Sequence, residues 1–169
     1  MSEEIINKVA DSQLVQIDLD EFYYSGEIIS YDLTQNLYEG LILREKDFRD
    51  FLKLHDWEPY RNKKVNISCN KDVIIPNWAY MLLASYLENV MADYYFGTVE
   101  DLRESLVKSS LNQINLDHYK DKLVLLKGCG SAELSPEIYL HVTKLLQPVV
   151  KSLMFGEACS TVPIFKKKY

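Results

Sequence analysis

The sequence predicts a single α/β domain over residues 1–169, with a mixed sheet and helices packed on it. Three observations carry this expectation. A chain of 169 residues is long enough for one domain with a real core and short for two. Hydrophobic residues make up 47% and charged residues 26%, an ordinary globular balance. Short strand-like runs alternate with amphipathic helical stretches, and no linker rich in Pro, Gly or Ser divides them.

Taken in order, residues 3–12 (EEIINKVADS) read as a short first helix, with acids at its front and Ile5, Ile6 and Val9 as its apolar side. Residues 14–19 alternate like a strand, a turn follows at 24–27, and 27–33 read as a second strand. Residues 37–43 (LYEGLIL) read as a third, with Gly40 as a bulge or point of close approach. Residues 45–55 place Phe48, Phe51, Leu52 and Leu54 on one broad helical stripe.

The chain then repeats its own pattern. Residues 60–97 can be laid on 119–156 with two compensating one-residue gaps. Ten positions are then identical, among them Cys69/Cys129, Pro76/Pro136, Tyr80/Tyr139, Phe96/Phe155 and Gly97/Gly156. Each stretch reads strand, loop, helix, strand, and a duplicated supersecondary unit explains the shared order. The first strands are 64–69 and 123–129, and the helices 77–91 and 137–147. Pro76 and Pro136 suit a helix start, Ser135 suits an N-cap, and Pro148 should end the second helix. Residues 94–96 and 153–155 are short strands closed by glycine. Between the units, 98–111 form an amphipathic helix with Thr98 as N-cap and Asp101 three residues on. The C-terminal tail, 157–169, is extended rather than helical.

The charge balance is 19 basic against 25 acidic, a net −6. A nucleic-acid binder needs a basic face, and the one basic run here is Lys166–Lys168 in the tail. No apolar stretch approaches the roughly 20 residues that span a bilayer. The acidic start lacks the features of a signal peptide. The expectation is a cytoplasmic protein that engages neither nucleic acid nor membrane, with a protein partner or a homo-oligomer as its associates.

Common nucleotide-binding and hydrolase motifs are absent. Three cysteines, Cys69, Cys129 and Cys159, make an odd count and form no CxxC pair, which argues against a disulfide framework. Cys69 and Cys129 each close a strand ahead of a proline-started helix, where α/β folds place ligands. Cys159 follows the closing glycine of the second unit. Three readings stay open: small buried hydrophobes, a reactive thiol, or thiolate ligands to zinc or an iron–sulfur cluster. His141, early in the second helix, is the better placed fourth ligand; His55 and His118 precede the first strands, at the far end. Asp18, Asp20 and Glu21 form an acidic cluster that suits a hard cation or acid–base work, or simply a solvated turn. Twelve tyrosines with Trp57 and Trp78 read mainly as packing, with an exposed subset as a partner surface.

The segments EEIINKVADS, IDLDEFY, LYEGLILREKDFR, HDWEPY, IIPNWAYMLL and LQPVVKSLMFGEACSTVP resemble the Bacteroidetes family known as domain of unknown function 2480. The resemblance runs from about residue 3 to 168. It transfers no catalytic residues. It implies a link with gene neighbourhoods for iron–sulfur cluster assembly, and so an accessory factor of metal or iron–sulfur metabolism. The alternatives are a non-catalytic, self-associating interaction module, and a small-molecule enzyme with a reactive cysteine.

Overall fold

A computed structural model describes residues 14–69, 72–128, 134–157 and 159–168. The expected helix at 3–12 lies outside them. The α/β class holds: the described residues form four helices and two sheets, one of them mixed. Two compact units divide the chain. An inserted unit is Ser25–Arg103, and a flanking unit takes Met1–Tyr24 with Glu104–Tyr169.

The inserted unit holds β2 (Ile28–Asp32), α1 (Glu45–Leu54), β3 (Lys64–Ser68), α2 (Asn77–Asn89) and β4 (Asp93–Phe96). Its sheet runs β2-β3-β4, parallel throughout. The central strand is buried at three consecutive residues, Val65, Asn66 and Ile67, as a parallel strand covered on both faces must be. Asn66 is the polar exception. Ser30 Oγ donates to its Oδ1 at 2.5 Å, and its Nδ2 donates to the Gly97 carbonyl at 3.3 Å. One side chain thus joins β2 to β3 and to the glycine that follows β4. Helix α2 buries Ala79, Leu83 and Leu87, a spacing of four that keeps one face on the core.

The flanking unit holds β1 (Leu14–Asp18), β5 (Leu123–Lys127), α4 (Pro136–Leu146), β6 (Ser152–Glu157) and β7 (Ser160–Lys166). Its sheet runs β1-β5-β6-β7, with β7 antiparallel on β6. Helix α3 (Val99–Asn112) crosses from one unit into the other along the chain, and its Val107 and Leu111 join the flanking core. Thr98 and Asp101 cap it reciprocally. The Asp101 amide donates to Thr98 Oγ1 at 3.1 Å, and the Thr98 amide to Asp101 Oδ2 at 2.9 Å.

Several elements of the two units start at a single constant offset in sequence, the one that carries Lys64 onto Leu123. Lys64 and Leu123 open the central strands, Asn77 and Pro136 the helices, Asp93 and Ser152 the next strands. The Asn62 amide donates to the Val90 carbonyl, and the Asp121 amide to that of Val149. Asn62 and Asp121 both take positive φ, as do Gly97 and Gly156. The correspondence of elements reaches outside 60–97 and 119–156. In each unit an earlier strand, β2 or β1, pairs parallel with the centre in the same register. Each of these ends in an aspartate, Asp32 or Asp18, whose carboxylate accepts an amide of the following 3-10 turn.

This register corrects the gapped pairing read from the sequence. Eight of the ten identities stand at the constant offset, but Cys69 falls opposite Gly128 and Pro76 opposite Ser135. The gaps match like residues across loops, where backbone register is not visible in sequence. Two other expectations are also corrected. Residues 37–43 are no strand: Tyr38 and Ile42 form an isolated antiparallel bridge around Glu39 and Gly40, both at positive φ. Leu54 lies off the buried stripe of α1 and is exposed. Ser135 does cap α4 by position, yet its hydroxyl donates to Glu104 Oε2 at 2.6 Å and accepts no amide of the helix.

Candidate functional site

The residues singled out in the sequence do not gather into one site among those described. Cys69 follows β3 in the inserted unit and is half-buried. Cys159 is exposed at the turn between β6 and β7 in the flanking unit. Cys129 lies outside the described residues. His141 Nε2 stands 2.9 Å from Asn112 Oδ1, so its ring is engaged with α3. Of the acidic cluster, Asp18 serves as the cap of a 3-10 turn, accepting the Asp20 amide at 3.0 Å. Among the described residues no group of three or more His, Cys, Asp or Glu is placed to hold a metal ion. No described helix is long and apolar enough to cross a membrane.

His55 sits among aromatic rings. Its ring centroid lies 4.6 Å from that of Trp57, 5.1 Å from Phe51 and 5.7 Å from Tyr60. Its Nε2 is buried with no hydrogen-bond partner among the described residues. Burial therefore holds its pKa below the usual histidine value, and the Asp56 carboxylate offsets only part of that. The folded state favours the neutral ring. Stability from this group is complete above the unfolded pKa, about 6.5. It is lost as the pH falls from there through the lower folded value. Urea midpoints at pH 7.5 and 5.5 should fall more steeply in the wild type than in His55→Phe, which keeps the packing and removes the proton. Equal slopes would contradict this.

The feature that distinguishes the two units is an apolar groove beside the third strand of each. In the flanking unit it is lined by Leu126, Tyr139, Thr143 and Phe155, with a volume of about 450 Å³. Tyr139 meets Phe155 edge to face at 5.6 Å, and its hydroxyl donates to the Gly128 carbonyl at 3.0 Å. A Cβ on Gly128 would lie 2.8 Å from that hydroxyl, so the ring rests directly on the glycine. Strand β7 then walls the groove, contributing Ile164 to its lining.

The inserted unit builds the same floor from Ile67, Tyr80, Ala84 and Phe96, each the counterpart of a flanking-unit residue at the constant offset. Tyr80 meets Phe96 edge to face at 5.2 Å. Cys69 stands where Gly128 does. Burial and the neighbouring Cys69 both raise the Tyr80 pKa, in that order, which keeps this phenol neutral. The groove is larger, about 590 Å³, and no strand walls it among the described residues. Phe96 is 60% exposed and Met81, on α2, 73%.

The edge beside this groove is a hydrogen-bonding surface. The amides of Asp93 and Gly97 donate to the Lys63 and Ile67 carbonyls, towards β3. By the alternation of a strand, Tyr94 and Phe96 turn their amides and carbonyls the other way. Leu153 and Phe155 do the same in the flanking unit, where β7 receives them. Sequence reasoning names β4 as a strand but misses this role. The signal lies after the closing glycines: a helix follows Gly97, whereas an extended segment follows Gly156.

Neither the curated proteins nor the solved structures include a match to this chain. A family of proteins described only as being of unknown function, DUF2480, matches residues 3–167, and the chain belongs to that family.

Proposed function

We propose that this chain is a non-catalytic protein-interaction module of the cytoplasm, and that β4 is the edge on which it receives an extended polypeptide segment. One observation carries the reading. A similar edge and groove occur in both units, and among the described residues one is filled by β7 and the other is left exposed. Addition of a strand to an exposed edge is a general mode of peptide recognition: backbone hydrogen bonds supply affinity and side-chain pockets supply specificity. The constant offset between matching elements supports descent of both units from one supersecondary unit.

The reading as an accessory factor of metal or iron–sulfur metabolism rests on the cysteines. Its main support is the equivalence of Cys69 with Cys129, and the register gives Cys69 a glycine counterpart instead.

Selection from a random peptide library, with protein purified without oxygen and assayed for zinc and iron, tests the proposal. Extended apolar peptides should be enriched by the wild type and lost with Phe96→Asp, a change at an exposed side chain. No enrichment, or enrichment indifferent to Phe96→Asp and Met81→Glu, would overturn it. Stoichiometric metal lost on Cys69→Ser would return the thiolate reading to first place.

A further inference from the structure

Building on the interaction reading, we propose that the segment received by β4 has the chemistry of β7: an extended, apolar stretch running antiparallel to β4 and ending on a lysine. The flanking unit supplies the template. There Ser152 pairs with Lys166, Leu153 with Phe165, Phe155 with Val162 and Gly156 with Thr161. Transferred to the inserted unit by the offset that relates Leu123 to Lys64, the same partner strand meets Asp93, Tyr94, Phe96 and Gly97.

Three of these meetings, at Asp93, Tyr94 and Phe96, are favourable. The lysine that faces a neutral serine in the flanking unit faces the Asp93 carboxylate in the inserted one, and opposite charges across a strand pair attract. Asp93 is already paired with Lys64, but its side chain remains 58% exposed at the edge. The phenylalanine faces Tyr94, an aromatic cross-strand pair, and the valine faces Phe96. The irregularity between Leu153 and Met154 lets β7 add Ile164 to the groove lining. The larger groove of the inserted unit has room for such an aliphatic side chain. The proline at the Pro163 position faces Tyr95, whose amide points to β3, so its missing donor costs nothing there. A second copy of β4, Asp93–Phe96, is another strand that could lie on this edge, and it brings no cation to Asp93.

The test is titration of a capped Ser-Thr-Val-Pro-Ile-Phe-Lys peptide into the full chain, followed by NMR shifts. Saturable binding is expected, with Tyr94 and Phe96 amides moving most. Replacing the peptide lysine by glutamate should weaken binding about threefold. Asp93→Lys should reverse that preference, and Asp93→Asn, which sets no like charge against Lys64, should abolish it. Absence of binding, or a preference unmoved by both variants, would overturn the inference. A peptide-free dimer that Phe96→Asp dissociates would also overturn it, in favour of a second copy. If a library yields peptides dependent on Phe96 and this one fails, the inference falls and the interaction module stands. If nothing binds, both fall.

Discussion

Gly156→Ala should lower stability by about 3 kcal/mol and loosen β7 from β6. Gly156 sits at φ +124°, where L side chains are strained. Its Cβ would stand 2.5 Å from the Ser160 carbonyl oxygen, a backbone atom at the start of β7. Neither problem can relax without moving the hairpin. Gly97→Ala offers the contrast. Gly97 also has positive φ, but its Cβ would meet the end of the Asp101 side chain, which can move at the expense of its cap with Thr98 and without moving backbone. No hairpin follows it. Urea unfolding should place the first substitution well below the second, and amide exchange should show β7 released only in the first. Equal losses with β7 still protected would mean that Gly156 does not set the hairpin.

Leu87→Ala should cost a similar amount, about 3 kcal/mol, and Leu146→Ala nearly the same. Both leucines are fully buried, at equivalent places near the ends of α2 and α4. Each packs in the core of its own unit, so truncation leaves a cavity that the strands cannot fill. Met81→Ala, on the exposed side of α2, should change stability by less than about 0.5 kcal/mol. Chemical denaturation of the three variants decides the matter. A large loss at Met81 would mean that the groove is packed rather than open.

Much of the fold was legible because it follows from local chemistry. The run of apolar residues in Leu123–Lys127, the four-residue spacing of Ala79, Leu83 and Leu87, and the reciprocal cap of Thr98 and Asp101 all announce themselves. The division of the strands into two sheets did not, because β1 reaches β5 from the far end of the chain and nothing in Leu14–Asp18 names its partner. The gapped pairing of Cys69 with Cys129 has the same origin. Side chains invite alignment, but register is set by backbone hydrogen bonds such as Asn62 to Val90 and Asp121 to Val149. The edge at β4 escaped notice for a related reason. An exposed Phe96 is ordinary in sequence, and its meaning came from finding Phe155 in the same place under β7.

Among the described residues the two corresponding edges differ, β6 being covered by β7 and β4 being open to the partner proposed above. Native-state amide exchange at Phe96 and Phe155 measures this directly. The two residues occupy the same position in their strands, and both turn their amides away from the central strand. The Phe155 amide should be protected by β7, and the Phe96 amide should exchange rapidly in the protein alone and slow when an extended peptide is bound. Equal protection at both positions in the free protein would contradict this, since the β4 edge would then already be closed.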